Sequence, residues 1–174
     1  LGLLAGATKT IGLGVASIIL PLRHPAHVAK SAASVDALSN GRLLLGVASG
    51  DRPEEYPAMN MDFASRSERF RESVTYIRAM AEDYPQVQTE QGHLFGGADL
   101  LRKPRGGRLP LLVTGGSGQH PDWVAEHSDG WITYPRDPAS QGRVVADYRE
   151  RVAAFGQPSR PEVQSLYVEV QADP

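Results

Sequence analysis

The chain has 174 residues, 41% of them hydrophobic and 22% charged, an ordinary composition for a globular fold and unlike that of a disordered or fibrous chain. Its net charge of -2 gives no footprint for nucleic acid, and the basic cluster Arg102, Lys103, Arg105 and Arg108 lies among Gly and Pro, as a solvated loop does. The absence of cysteine excludes disulfides, thiolate metal sites and cysteine nucleophiles, and it agrees with an expected cytoplasmic location.

In chain order, residues 11–20 are apolar and β-branched without alternation, the pattern of a parallel strand covered on both faces. The apolar run ends by residue 22, short of the ~18–20 residues of a membrane span, so no membrane role is expected. Pro21 stops this strand. A helix opens at His24-Pro25, with Pro25 as its first residue and Val28, Ala32, Val35 and Leu38 at helical spacing, and Asn40-Gly41 supplies a left-handed stop. Residues 42–50 form a second buried strand ending in a glycine turn. The loop 51–64 carries two prolines, and residues 65–83 read as a helix. Ser65 and Glu68 make a capping-box pattern there, and Phe70, Val74, Ile77 and Met80 form the core stripe.

Residues 84–109 are irregular, with at most a short hairpin near His93-Leu-Phe95. Residues 109–114 form the third strand, 121–127 a short helix and 129–134 the fourth strand. A helix over 139–155 turns Val144, Val145, Tyr148 and Val152 to the core, and 163–170 form the fifth strand. Strands separated by helices imply parallel βα units, which leaves a doubly wound sheet and an interrupted barrel open. The start at Leu1 without Met or leader, and the end at Pro174 after a strand-like run, suggest a piece of a longer protein with no signal peptide.

The first four strands end in small or polar residues: Ala16-Ser17, Ala48-Ser49-Gly50-Asp51, Thr114-Gly115-Gly116-Ser117 and Thr133-Tyr134. Ligands of parallel α/β folds sit at strand carboxyl ends, so these turns are expected to line one pocket. Thr114-Gly-Gly-Ser-Gly118 leaves a strand and precedes a helix, so several N–H groups can face one phosphate. It is neither a P-loop, since no Lys-Ser/Thr follows, nor a dinucleotide fingerprint, since residue 120 is His. A plain strand-to-helix turn is the alternative. Arg66 stands in the first turn of the long helix, where a cation opposes the dipole. A guanidinium aimed at a phosphate accounts for that placement, as does a merely exposed arginine. The histidines His24, His27, His93, His120 and His127 show no metal-ligand spacing, and no metal is expected. Asp51, Glu54 and Glu55 suit either a base at a pocket mouth or a solvated loop, and Trp131 reads as core.

Several strings carry a resemblance in order along the chain. Leu20-Pro-Leu-Arg-His-Pro25 and Leu38-Ser-Asn-Gly-Arg-Leu-Leu-Leu-Gly-Val-Ala-Ser-Gly50 are followed by Met61-Asp-Phe-Ala-Ser-Arg-Ser-Glu-Arg-Phe70, Leu111-Leu-Val-Thr-Gly-Gly-Ser117 and Asp129-Gly-Trp-Ile132. Together they resemble the bacterial-luciferase-like monooxygenases across most of residues 8–136. The resemblance implies one (β/α)₈ TIM-barrel domain over residues 1–174, incomplete here, with strands three to seven present and an insertion at about 81–109. It implies an oxidoreductase, as a monooxygenase that uses reduced FMN and O₂ on a small organic substrate. A deazaflavin-dependent hydride-transfer enzyme, or a non-catalytic flavin binder, are the alternatives. Ala16 and Ser17 are implied as a strand end, often with a non-prolyl cis peptide, under the flavin ring. Ala48, Ser49 and Gly50 then flank the ring or ribityl chain. Thr114, Gly115, Gly116 and Ser117 hold the phosphate with Arg66. The family's active-site histidine lies on early strands absent from this chain, so no catalytic residue is assigned. A flavin reductase and a homodimer are the partners the resemblance implies.

Overall fold

The computed structural model describes residues 1–158 and 160–164. A short helix, α1 (Gly2–Ala7), precedes strand β1 (Leu13–Ile19). Helix α2 (Pro25–Ser39) leads to β2 (Leu43–Ala48), and the short α3 (Glu55–Ala58) precedes the long α4 (Arg66–Ala79). A hairpin of β3 (Gln86–Thr89) and β4 (Gly92–Phe95) follows, then β5 (Leu111–Thr114), α5 (Pro121–His127), β6 (Gly130–Thr133), α6 (Pro138–Ala154) and β7 (Glu162–Gln164). The expected fifth strand begins at β7, and its residues 165–170 lie outside the described residues.

Strands β1, β2, β5, β6 and β7 form one parallel sheet in that order. Neighbours in sequence are therefore neighbours in the sheet, and every strand points its carboxyl end to the same side. A strand order that runs in one direction without reversal distinguishes the interrupted barrel from the doubly wound sheet, whose strand order reverses at a switch point. The hairpin is antiparallel and separate, Gln86 facing Phe95 and Thr89 facing Gly92.

Leu43, Leu45, Val47, Leu111 and Val113 of the sheet pack with Phe70, Val74 and Ile77 of α4 and with Val28, Ala29 and Ala32 of α2 in one core. Four expectations need correction. Strand β1 is not covered on both faces: Gly14 and Ala16 are exposed, as is Leu44 beside them on β2. Five strands do not close a barrel, so the face that a closed barrel fills with side chains is open here. The capping box at Ser65 and Glu68 is not made, because Ser65 provides no side-chain cap. A 3₁₀ turn, Phe63–Ser65, leads into α4 instead, and Asp62 caps it by accepting from the Ala64 amide at 3.0 Å. Helix α4 also ends at Ala79 rather than 83. Of the residues assigned to the inner face of α6, Tyr148 and Val152 are buried while Val144 and Val145 are half-buried.

Between β1 and β2 the register slips. Leu45 faces Val15 and Val47 faces Ile18, so Ala16 and Ser17 together stand against Gly46. A Cβ on Gly46 would collide with the Val15 carbonyl oxygen and press on the Ile132 side chain. Glycine is needed here for close approach, and the bulge delivers Ala16 and Ser17 to the carboxyl end of the sheet.

Candidate functional site

The turns after β1, β2 and β5 open into one cavity of about 660 Å³. That is within the usual range of ~300–1,000 Å³ for a small-molecule site. All ten residues singled out in the sequence line it: Ala16, Ser17, Ala48, Ser49, Gly50, Arg66, Thr114, Gly115, Gly116 and Ser117. The peptide between Ala16 and Ser17 is cis.

The Gly115–Gly118 turn is built by its backbone. The Gly115 amide donates to the Ile132 carbonyl at 2.8 Å, and the Trp131 indole donates to the Gly115 carbonyl at 2.9 Å. These bonds tie the turn to β6. Ser117, at φ 47°, donates its hydroxyl to the Thr114 carbonyl at 2.8 Å, and its Oγ accepts from the Ser49 amide at 3.3 Å. Gly118 has φ 71°, and a Cβ there would collide with Ser67 Oγ. Its lack of a side chain lets the turn rest on the first residues of α4. Gln119 then latches the two together, donating to the Ser67 carbonyl at 2.8 Å and accepting from Arg71 at 3.1 Å. The amides of Gly116, Ser117 and Gly118 have no partner among the described residues. Backbone donors left open at a turn of mixed handedness form a concavity suited to an anion.

Arg66 arrives from the other side. Its guanidinium lies over the Phe63 ring at 3.9 Å, and Nη1 donates to the Phe63 carbonyl at 3.0 Å. One bond leaves most of the five guanidinium donors available, and a planar fork suits phosphate recognition. Thr114 Oγ1 is buried without a partner among the described residues.

The cavity includes Asp51 and Tyr134, as the strand-end pattern expected, and further residues that the pattern did not single out. Ile19 and Phe63 supply apolar wall, Tyr134 lies against Gly115, and Asp51, Arg52 and Glu55 form the rim. Arg52 and Glu55 pair at 3.6 Å. Phe63 was legible only through its spacing to Arg66, three residues along a helical entry. Beneath the cavity Tyr56 is fully buried and donates to the Ser49 carbonyl. Burial raises its phenol above the ordinary value, so the hydroxyl stays a donor at neutral pH.

Three of the five histidines have structural partners. His24 and His120 each precede the proline that opens a helix, and each ring accepts from the amide two residues on, at 3.2 and 3.3 Å. His127 stacks on Trp123 with centroids 4.7 Å apart. Among the described residues no three His, Asp or Glu side chains converge as metal ligands, and no helix is long and apolar enough to cross a membrane.

Comparison with known proteins bears on this arrangement. The chain is 31% identical over 175 residues to the uncharacterized protein Rv0953c of Mycobacterium tuberculosis, a match covering 99% of this chain and 61% of the relative. A second uncharacterized protein of that organism, Rv0940c, is 31% identical over 152 residues, covering 84% of this chain and 50% of the relative. The chain thus spans about half to three-fifths of the length of these relatives. Among solved structures it superposes on the monooxygenase RslO1 of Streptomyces bottropensis with a TM-score of 0.81 and 22% identity, over 94% of this chain and 51% of that one. The oxygenating constituent of 3,6-diketocamphane monooxygenase of Pseudomonas putida, in complex with FMN, gives 0.76 at 19% identity over the same shares. An F420-dependent secondary alcohol dehydrogenase, in complex with an F420-acetone adduct, gives 0.78 at 20% identity, again over 94% and 51%. These likenesses establish the fold, that of a luciferase-like barrel of which this chain forms part. The family described as luciferase-like monooxygenase matches residues 1–173, and the chain belongs to that family.

Proposed function

We propose that this chain forms the cofactor-binding part of a flavin-dependent monooxygenase that uses reduced FMN and O₂ on a small organic substrate. The observation that carries this reading is the meeting of two separate donor sets in one cavity: the open amides of Gly116, Ser117 and Gly118, and the Arg66 guanidinium. All are donors, one is a fixed cation, and no carboxylate is part of either set. Such a site suits the dianionic phosphate of a mononucleotide.

The rest of the wall fits a planar ring system. Ala16, Ser17, Ala48 and Gly50 have small side chains or none, and they leave flat space at the sheet end. In this reading Ala16 and Ser17 lie under the ring, Ala48, Ser49 and Gly50 flank the ring or ribityl chain, and Thr114 to Ser117 hold the phosphate with Arg66. When bound, a reduced flavin supplies the electrons for oxygen activation. The chain's own residues bind the phosphate, orient the ring and exclude water from it. A separate flavin reductase as the source of reduced FMN, and a homodimeric whole protein, belong to the same proposal.

The test uses the full-length protein. FMN is expected to bind at micromolar concentration, and Arg66→Ala to weaken FMN far more than riboflavin. Reduced FMN supplied with air is expected to be consumed in step with substrate oxygenation. Failure to bind either FMN or a deazaflavin overturns the reading, and equal losses for FMN and riboflavin overturn the phosphate assignment. A second reading, hydride transfer with a deazaflavin, draws support from the likeness to the F420-dependent dehydrogenase. It predicts turnover that is indifferent to O₂.

A further inference from the structure

Tyr56 touches both arms of the anion site without facing the ligand space. Its exposure is 0%, and its hydroxyl donates to the Ser49 carbonyl. The same Ser49 residue donates its amide to Ser117 Oγ at 3.3 Å. On the other side the Tyr56 ring meets Phe63 edge to face, with centroids 5.1 Å apart. The face of Phe63 in turn carries the Arg66 guanidinium at 3.9 Å. Ser117 and Arg66 come from the loop after β5 and the start of α4, far apart in sequence, and Tyr56 is the buried piece that contacts the residues holding each.

A phenylalanine would fill the same space, so packing alone does not call for the hydroxyl. The hydroxyl instead holds the Ser49 carbonyl, and the amide on the other side of the Ser49 Cα donates to Ser117 Oγ. Fixing donors before the ligand arrives removes an ordering cost that binding otherwise bears.

We propose that Tyr56 is a positioning residue that makes this site selective for a phosphorylated flavin over the unphosphorylated form, by holding Ser49 and Phe63 so that Ser117 and Arg66 converge on the phosphate. The inference rests on the flavin reading above. A merely structural role predicts that losing the hydroxyl weakens every flavin alike or lowers only the melting temperature. A positioning role predicts a loss confined to the phosphate.

The experiment titrates FMN and riboflavin into full-length wild type, Tyr56→Phe, Ser117→Ala and the double variant. Tyr56→Phe is expected to weaken FMN about 5–10-fold, the effect of one lost hydrogen bond, and to leave riboflavin within about twofold. The double variant is expected to bind FMN about as Ser117→Ala does, because the two groups act through one contact. An unchanged FMN-to-riboflavin ratio in Tyr56→Phe, or fully additive losses, overturns the inference while leaving the flavin reading intact. Wild type that binds neither flavin overturns both. Phe63→Leu removes the ring under Arg66 and leaves Tyr56 in place. It is expected to erode the same preference, and an intact preference there overturns the Arg66 arm should Tyr56→Phe fail to fold.

Discussion

Arg42 and Arg66, at the two ends of the parallel sheet, are used in opposite ways. At the amino ends, Arg42 precedes β2 and donates to the carbonyls of Ser39, Ile11, Ala5 and Thr8 and to the Thr8 hydroxyl. This ties α1 and the approach to β1 beneath the sheet. Nearby, Asp129 accepts from Arg78 at 2.5 Å, from Arg108 and from the Leu111 amide at 2.9 Å, joining α4, the loop before β5 and β6. At the carboxyl ends, Arg66 makes one bond to a neighbouring carbonyl, and three amides of the Gly115–Gly118 turn have no described partner. One end spends its donors on the fold. The other leaves them without protein partners among the described residues, the division expected of a barrel whose ligands sit at the carboxyl face.

Mutations can break that contrast in a set order. Gly46→Ala is expected to be the most damaging, costing about 3 kcal/mol or more, because the colliding Val15 oxygen is backbone and cannot swing aside. Chemical denaturation measures it, and a loss under about 1 kcal/mol would contradict the close approach of β1 to β2. Asp129→Ala follows at about 2–3 kcal/mol. Burial lowers the Arg78 guanidinium from its ordinary value and Asp129 opposes that shift, so removal leaves a partly buried charge without its counterion. The FMN preference should survive in the fraction that still folds.

Arg66→Ala should show the reverse pattern. Stability is expected to stay within about 0.5 kcal/mol, while FMN affinity falls about 10–100-fold, the range of a charge-assisted contact. A stability loss matching that of Asp129→Ala would place Arg66 with the structural arginines instead.

The smallest effect belongs to a helix cap. Asp137 caps α6 by accepting from the Ser140 amide at 3.0 Å, and the Ser140 hydroxyl and amide hold its carboxyl below the usual range. A depressed folded value means the cap's contribution is present above the unfolded carboxylate range, near pH ~4, and is lost as pH falls through the folded value. The melting temperature of Asp137→Ala is therefore expected to lie slightly below wild type at neutral pH. The gap should narrow below about pH 4, and a gap independent of pH would count against the charged cap.

Much of this was legible in the sequence because it rests on short-range rules. Pro25 and Asn40 bracket α2 as expected, with Asn40 at φ 64°. The strand-end turns were readable as one pocket because parallel strands separated by helices put their carboxyl ends together. The Ser65 cap was misread because the motif fits two frames. Asp62 caps a 3₁₀ turn three residues earlier, and Ser65 already has helical backbone angles and makes no side-chain cap.

By itself the sequence determined the order of the elements, the places where glycine and proline stop them, and, through an ordered series of motifs, the family. Those features depend on backbone conformations that neighbouring residues favour or forbid. Only the tertiary structure decided which groups face one another across the cavity. The bond from Ser49 to Ser117 joins the connection between β2 and α4 to the turn after β5, and Tyr56 lies beneath it while meeting the Phe63 that carries Arg66. Such contacts follow from how α4 and the β5 turn dock on the sheet. No local periodicity encodes that docking, since it is set by long-range packing of the core.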